Sequence, residues 1–237
     1  INKRKQSCTF DAASKPNLVN FDADRVLVGD IEYKKTTTEY VYQYHNAPHF
    51  IDRFEAISEL TKEKDKPEVA AMYTAALSDK FWSIRSRALQ YVKGSEKTKA
   101  TLAAKDSHSA VRSAAIRALG ETKDAQYADV AKTIIGQEKS YGVIAAALST
   151  LAKLDKNAAL TYAKKLENEE NTNIITAIGD IYVENGDTKY LSFFEKNWGK
   201  FNGFRTGTFL RSYGKLLQKS DGATMLSSLE KLTTLAA

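Results

Sequence analysis

The side chains whose type and spacing could do chemistry are few. His45-Asn-Ala-Pro-His49 has the i, i+4 spacing of a two-histidine zinc site. Asn46, not Glu, follows His45, so no general base accompanies the pair. Pro48 breaks the helix that would place both rings on one face. The pair therefore reads as a helix–helix corner with exposed histidines. His108 falls in the first turn of a helix expected to begin at Asp106 and reads as surface. Cys8, the only cysteine, has no matched His and Asp and reads as a small buried strand residue, not a nucleophile. No G-x-S-x-G elbow and no glycine-rich phosphate loop is present. Gly199, Gly203, Gly207 and Gly214 are spread through a helical region and read as points of close packing or bending. The expectation is that this chain contributes no catalytic, cofactor-binding or metal-ligating residue.

Two textures of chain would carry these residues. The three prolines, Pro16, Pro48 and Pro67, all lie in the first third, and the proline-free remainder favours continuous helices. Before Tyr33 the pattern is strand-like. Gln6, Cys8 and Phe10 alternate with Ser7 and Thr9, Leu18–Phe21 is a second short run ended by Asp22-Ala-Asp24, and Arg25–Tyr33 is a third. Three short strands make a poor independent sheet. They read as the end of a β-sandwich whose partner strands lie upstream of Ile1, so the chain is expected to be a piece of a longer protein. Thr36-Thr-Thr-Glu39 fits a capping box that opens the first helix, and Pro48 should end it. Phe50, Phe54, Ile57 and Leu60 then mark one face of a second helix.

An internal repeat dominates the rest. Asp79-Lys-Phe-Trp-Ser-Ile84-Arg85-Ser-Arg-Ala88-Leu89 aligns with Asp106-Ser-His-Ser-Ala-Val111-Arg112-Ser-Ala-Ala115-Ile116 at an offset of 27 residues. Each copy ends near a glycine, Gly94 or Gly120, as helix C-termini often do. Asp79 and Asp106 are placed to cap helices, and Arg85 and Arg112 to bond the matching acid of a neighbouring repeat. These four form an expected structural ladder. Val143, Leu148 and Leu151 continue the apolar spacing, then Ile178 and Ile181, then more loosely Leu210 and Tyr213. Ile144 stands where Arg112 has its counterpart, so the polar ladder lapses there. Partner helices are expected over 68–77, 96–104, 125–135, 158–166 and 189–198. The resulting fold class is mainly α: a HEAT-like α-solenoid over 36–237 preceded by a β-sandwich remnant over 1–35.

Composition narrows the function classes. The chain has 237 residues, of which 43% are hydrophobic and 27% charged, which fits a soluble globular protein. No apolar run approaches the roughly 18–20 residues of a membrane span. The basic start to Cys8 lacks the apolar core of a signal peptide or a lipoprotein signal. The net charge of +6 invites a nucleic-acid reading. Runs such as Lys62-Glu-Lys-Asp-Lys66 interleave both signs, however, so that reading is not favoured over ordinary solvated faces. Phe81, Trp82, Phe193, Phe194 and Trp198 stand at helical spacings and read as inter-helix packing.

The linker region resembles a known family. Lys15-Pro-Asn-Leu-Val19-Asn-Phe21-Asp22-Ala-Asp24-Arg-Val-Leu27 with Ile31-Glu-Tyr33-Lys34-Lys35, then Glu39–His45 and Asp52-Arg53-Phe54-Glu55-Ala56-Ile57-Ser-Glu59-Leu60, resembles the sandwich-to-helix junction of bacterial zinc aminopeptidases of the aminopeptidase N family. Members often end in HEAT-like repeats. The family's H-E-x-x-H with its downstream Glu ligand and its G-x-M-E-N motif are absent, so none of its catalytic residues carries over. The resemblance implies the non-catalytic C-terminal region of such an enzyme, packed on the upstream catalytic domain of the same polypeptide and limiting the entry of peptides. It implies zinc in the parent's catalytic domain and a soluble bacterial protein of the cytoplasm or periplasm. The competing readings are a stand-alone HEAT-repeat interaction scaffold and, less favoured, a nucleic-acid-binding solenoid.

Overall fold

The computed structural model describes residues 7, 9–29 and 31–236, and of residues 234–236 the backbone alone. Among these residues it is mainly helical, with thirteen α-helices and no strand. It packs as two compact units, Ile1–Lys93 and Gly94–Ala237.

In the first unit, α1 (Thr37–Asn46), α2 (Phe50–Glu59), α3 (Pro67–Ala76) and α4 (Trp82–Ala88) form two layers, with α1 against α3 and α2 against α4. The capping box at Thr36 is made on both sides. Thr36 accepts from the Glu39 N–H at 3.3 Å, and Glu39 accepts from the Thr36 N–H at 2.7 Å. Ala47, the residue before Pro48, leaves the helix in extended geometry, and Pro67 opens α3 at its first position, where no N–H is needed. Ala56, Ile57, Leu60, Val69, Met72, Tyr73, Ile84 and Ala88 fill the core, with the Tyr73 hydroxyl donating to the Ile57 carbonyl at 2.6 Å.

The three strands expected before Tyr33 do not form among the described residues; Gln6, Cys8 and Asp30 lie outside them. A strand is defined by its partner, and residues 9–29 and 31–35 run irregularly or extended beside no second strand among the described residues. A tight turn stands in place of a ladder. Asp22 and Arg25 take positive φ (50° and 53°), and the Asp22 carboxylate accepts from the Val26 and Leu27 N–H groups at 2.9 and 3.0 Å.

In the second unit, helices alternate between two layers. The outer helices are α5 (Glu96–Lys105), α7 (Ala128–Gln137), α9 (Lys156–Lys165) and α11 (Leu191–Asn197). The inner helices are α6 (Ser109–Gly120), α8 (Tyr141–Leu154), α10 (Thr172–Asn185) and α12 (Phe204–Leu217), each packed against the next; α13 (Gly222–Ala236) follows on α12. The expected apolar register holds through α10: Val111, Ala115, Ile116, Val143, Leu148, Leu151, Ile178 and Ile181 are all buried. In α12 it rotates. Phe209, Tyr213, Leu216 and Leu217 are buried, whereas Leu210 is only half-buried.

Two glycines matter for packing: Gly120, at the helix end where it was expected, and Gly179, for which the sequence carried no expectation. Gly120 ends α6 with helical neighbours on both sides. A Cβ there would meet the Thr150 side chain at 3.2 Å, the same Thr150 whose hydroxyl donates to the Ile116 carbonyl at 3.0 Å. Gly179 lets Phe194 and Phe209 approach to 3.1 and 3.4 Å of where a Cβ would stand. By contrast, Gly199, Gly207 and Gly214 face open space, so they are not close-packing positions. Around Gly179 the aromatic side chains of α11 and α12 converge: Phe194 lies 5.0 Å from Phe209 and 5.9 Å from Tyr213, ring to ring.

Candidate functional site

The four expected ladder residues sit in the loops and first turns that lead into α4 and α6. Asp79 and Asp106 stand two residues before the N-cap positions, which belong to Phe81 and His108. Each carboxylate accepts from the backbone N–H two residues on, Phe81 at 2.8 Å and His108 at 2.9 Å, so both acids shape the approach to a helix without capping it. His108 itself, half-buried, accepts from the Ala110 N–H through Nδ1. Arg85 reaches back to the Asp79 carbonyl at 2.8 Å, and Arg112 to the Asp106 carbonyl at the same distance.

Two residues absent from the expected ladder complete its ion pairs. Arg53 of α2 forks onto the Asp79 carboxylate at 3.0 and 3.2 Å, with both side chains less than a tenth exposed; the Tyr44 hydroxyl reaches the same carboxylate at 3.4 Å. Arg112 forks onto Glu138 at 2.7 and 3.0 Å. Glu138 also accepts from the Lys139 and Ser140 N–H groups at 2.8 and 2.9 Å, at the entrance to α8. The Arg112 fork and these two N–H bonds outweigh partial burial and push the Glu138 carboxyl down to about 2. A signal for both was present. Arg53 stands 32 residues before Arg85, and Glu138 stands 32 after Asp106. A strict 27-residue offset passes over them because the loop lengths vary.

The histidine pair is divided between two elements. His45 lies in the last turn of α1, whereas His49 precedes α2 and places Nε2 3.3 Å from Asp24. Among the described residues, no three His, Cys, Asp or Glu side chains come together as a metal-holding group.

The segment ahead of α1 is where chain physics is least satisfied. Phe10, Val19, Phe21, Val26, Leu27, Val28, Ile31 and Tyr33 are all exposed, Phe10 at 86% and Val28 completely. Scattered apolar residues on a surface are ordinary, but a run this dense is the kind of patch that marks an interaction site. The segment is nonetheless tied down. Arg25 bonds Glu55 at 2.7 Å and Asp52 at 3.3 Å, while Lys35 bonds Glu55 at 3.1 Å and Asn20 at 3.4 Å. Burial would raise the Glu55 carboxyl, but hydrogen bonds from Arg25, Lys35 and Gln43 outweigh it and hold that carboxyl below its ordinary value. Cationic side chains thus fasten the segment to α2 while its apolar side chains remain uncovered.

Among the described residues, no helix is long and apolar enough to cross a membrane. Comparison with curated proteins gives no match. A family model described as HEAT repeats matches residues 95–179, the stretch from α5 into α10, and this part of the chain is a helical-repeat region.

Proposed function

We propose that the chain is the non-catalytic helical-repeat region of a zinc metallo-aminopeptidase. In this reading it docks on an upstream catalytic domain and shapes the access of peptides to that domain's active site. The observation that carries the reading is the uncovered apolar run from Phe10 to Tyr33, fastened to α2 through Arg25 and Lys35. Covering apolar area contributes roughly 25 cal/mol per Å², so a run this dense favours a second surface that covers it. The sequence of the same segment resembles the sandwich end of the aminopeptidase N family, which supplies the identity of the covering surface. Zinc would then belong to the upstream domain.

The reading frame preceding residue 1 tests this. An H-E-x-x-H motif with a downstream Glu ligand is the expected result. A frame without them overturns the aminopeptidase assignment and favours a stand-alone repeat scaffold, a reading that the HEAT match over 95–179 supports equally well.

A further inference from the structure

The stretch from Lys196 to Ser220 contains six cationic residues and no Asp or Glu. Helix α12 occupies most of it. At 100° per residue, Arg205, Arg211 and Lys215 fall within about a third of the circumference, and Lys219 follows in the turn just past Leu217. All four are exposed, and among the described residues none is in a salt bridge. Arg205 donates to the Asn173 amide oxygen at 2.9 Å, and Lys219 lies 3.5 Å from the Val183 carbonyl; both partners are neutral groups of α10.

Arg205, the first cation of the stripe, lines a groove of about 340 Å³ that crosses the inner helices α6, α8, α10 and α12. Its floor carries small residues, Gly142 and Ala145 among them, which allow a backbone to approach closely. Asn173, Thr176 and Ser149 provide donors and acceptors along it, and Arg117 stands at the α6 side opposite Arg205 on α12. One acid, Asp180, faces the same groove, 3.5 Å from the Ser212 hydroxyl.

We propose that this inner face binds an extended, acidic polypeptide segment. The guanidinium groups of Arg117 and Arg205 and the cations of α12 would take its carboxylates. The groove's amide and hydroxyl groups would take its backbone. Charge complementarity selects the sign of the partner, and the single acid selects its class. As a carboxylate on the groove wall, 3.5 Å from the Ser212 hydroxyl, Asp180 can accept hydrogen bonds from backbone N–H groups and repels a phosphate placed beside it. A polypeptide offers N–H groups between its charged side chains, whereas a nucleic-acid strand presents an unbroken run of anions. Sequence-tolerant binding of single strands also needs a series of aromatic platforms, and α12 offers one exposed ring, Phe204. This inference does not depend on the aminopeptidase reading, because it concerns residues of α6 to α12 alone.

The test is fluorescence anisotropy with the full chain and three labelled probes: a decapeptide alternating Glu and Ser, its Lys–Ser counterpart, and a short thymidine oligonucleotide. The Glu–Ser peptide should bind saturably, more weakly as salt is raised, and the Lys–Ser peptide should not. The double reversal Arg205→Glu/Arg211→Glu should weaken binding by at least about tenfold, while Lys97→Glu on outer helix α5, which changes the net charge by as much as Arg205→Gln/Arg211→Gln does, should leave it within about twofold. If the double reversal does not fold, Arg205→Gln/Arg211→Gln reads the same loss at smaller size. The proposal is overturned if no saturable binding is found, if both peptides bind alike, or if the α12 variants bind as well as Lys97→Glu. Tighter binding of the oligonucleotide than of the acidic peptide would also overturn it and assign the face to nucleic acid.

Discussion

Replacing Glu138 by Gln isolates the ion pair that joins the entrance of α8 to α6. The Glu138 side chain is 12% exposed and that of Arg112 18%, so solvent screens the pair only partly. The carboxyl is pushed down to about 2 from an ordinary value of 4.5. At 1.36 kcal/mol per unit, that difference amounts to at most about 3 kcal/mol of stability. The sign follows from the direction of the shift. A carboxyl depressed in the folded state contributes fully above its unfolded value, and the contribution is lost as pH falls from about 4.5 toward 2, where the unfolded chain takes up the proton first. Gln approximates the protonated acid. Parent and Glu138→Gln should therefore differ most at neutral pH and converge near pH 2, because every other acid titrates alike in both. At about 2–4 °C per kcal/mol for a chain of this length, the neutral-pH gap in thermal midpoint should be about 5–10 °C. Circular dichroism melts at several pH values read this directly. A gap that stays constant across the acid range would refute the reasoning, since the cost would then come from shape and not from charge.

Two further perturbations follow from the packing. Arg53→Ala leaves the nearly buried Asp79 carboxylate without its fork and should cost about 2–4 kcal/mol by urea unfolding; a loss within error would show the pair to be dispensable. Gly179→Ala should destabilise by about 1–3 kcal/mol by pressing on Phe194 and Phe209. Gly207→Ala, which faces open space in α12, should instead stabilise by roughly 0.5–1 kcal/mol, and equal effects at the two sites would contradict the packing described.

What could be read in advance divides along physical lines. Local rules were legible: Thr36 with Glu39, Pro48 and Pro67 fix helix ends through groups only a few residues apart. The apolar faces of α6, α8 and α10 were legible because burial repeats with the helix period. Arg53 and Glu138 were hidden by variable loop lengths, which shift the ladder by five residues between copies. The turn expected at Asp22–Asp24 forms, but among the described residues the strands expected on either side of it do not, because alternation cannot supply the partner that a strand requires. The cations of α12 were visible singly, yet their common face depends on the helical rotation that brings Arg205, Arg211 and Lys215 together. Gly179 gave no local sign, since its tight neighbours Phe194 and Phe209 come from other helices.

The proposed docking role is tested most directly by co-expressing the chain with whatever catalytic portion the reading frame before residue 1 encodes, as separate polypeptides, and asking whether they co-purify. The account predicts a stable complex that survives high salt, because the covered surface is apolar, and that is lost when Val26 and Val28 are both changed to Asp. These side chains are exposed, so the variant should keep the melting behaviour of the parent chain. Failure of the two polypeptides to associate, or association unaffected by the Val26→Asp/Val28→Asp change, would contradict it.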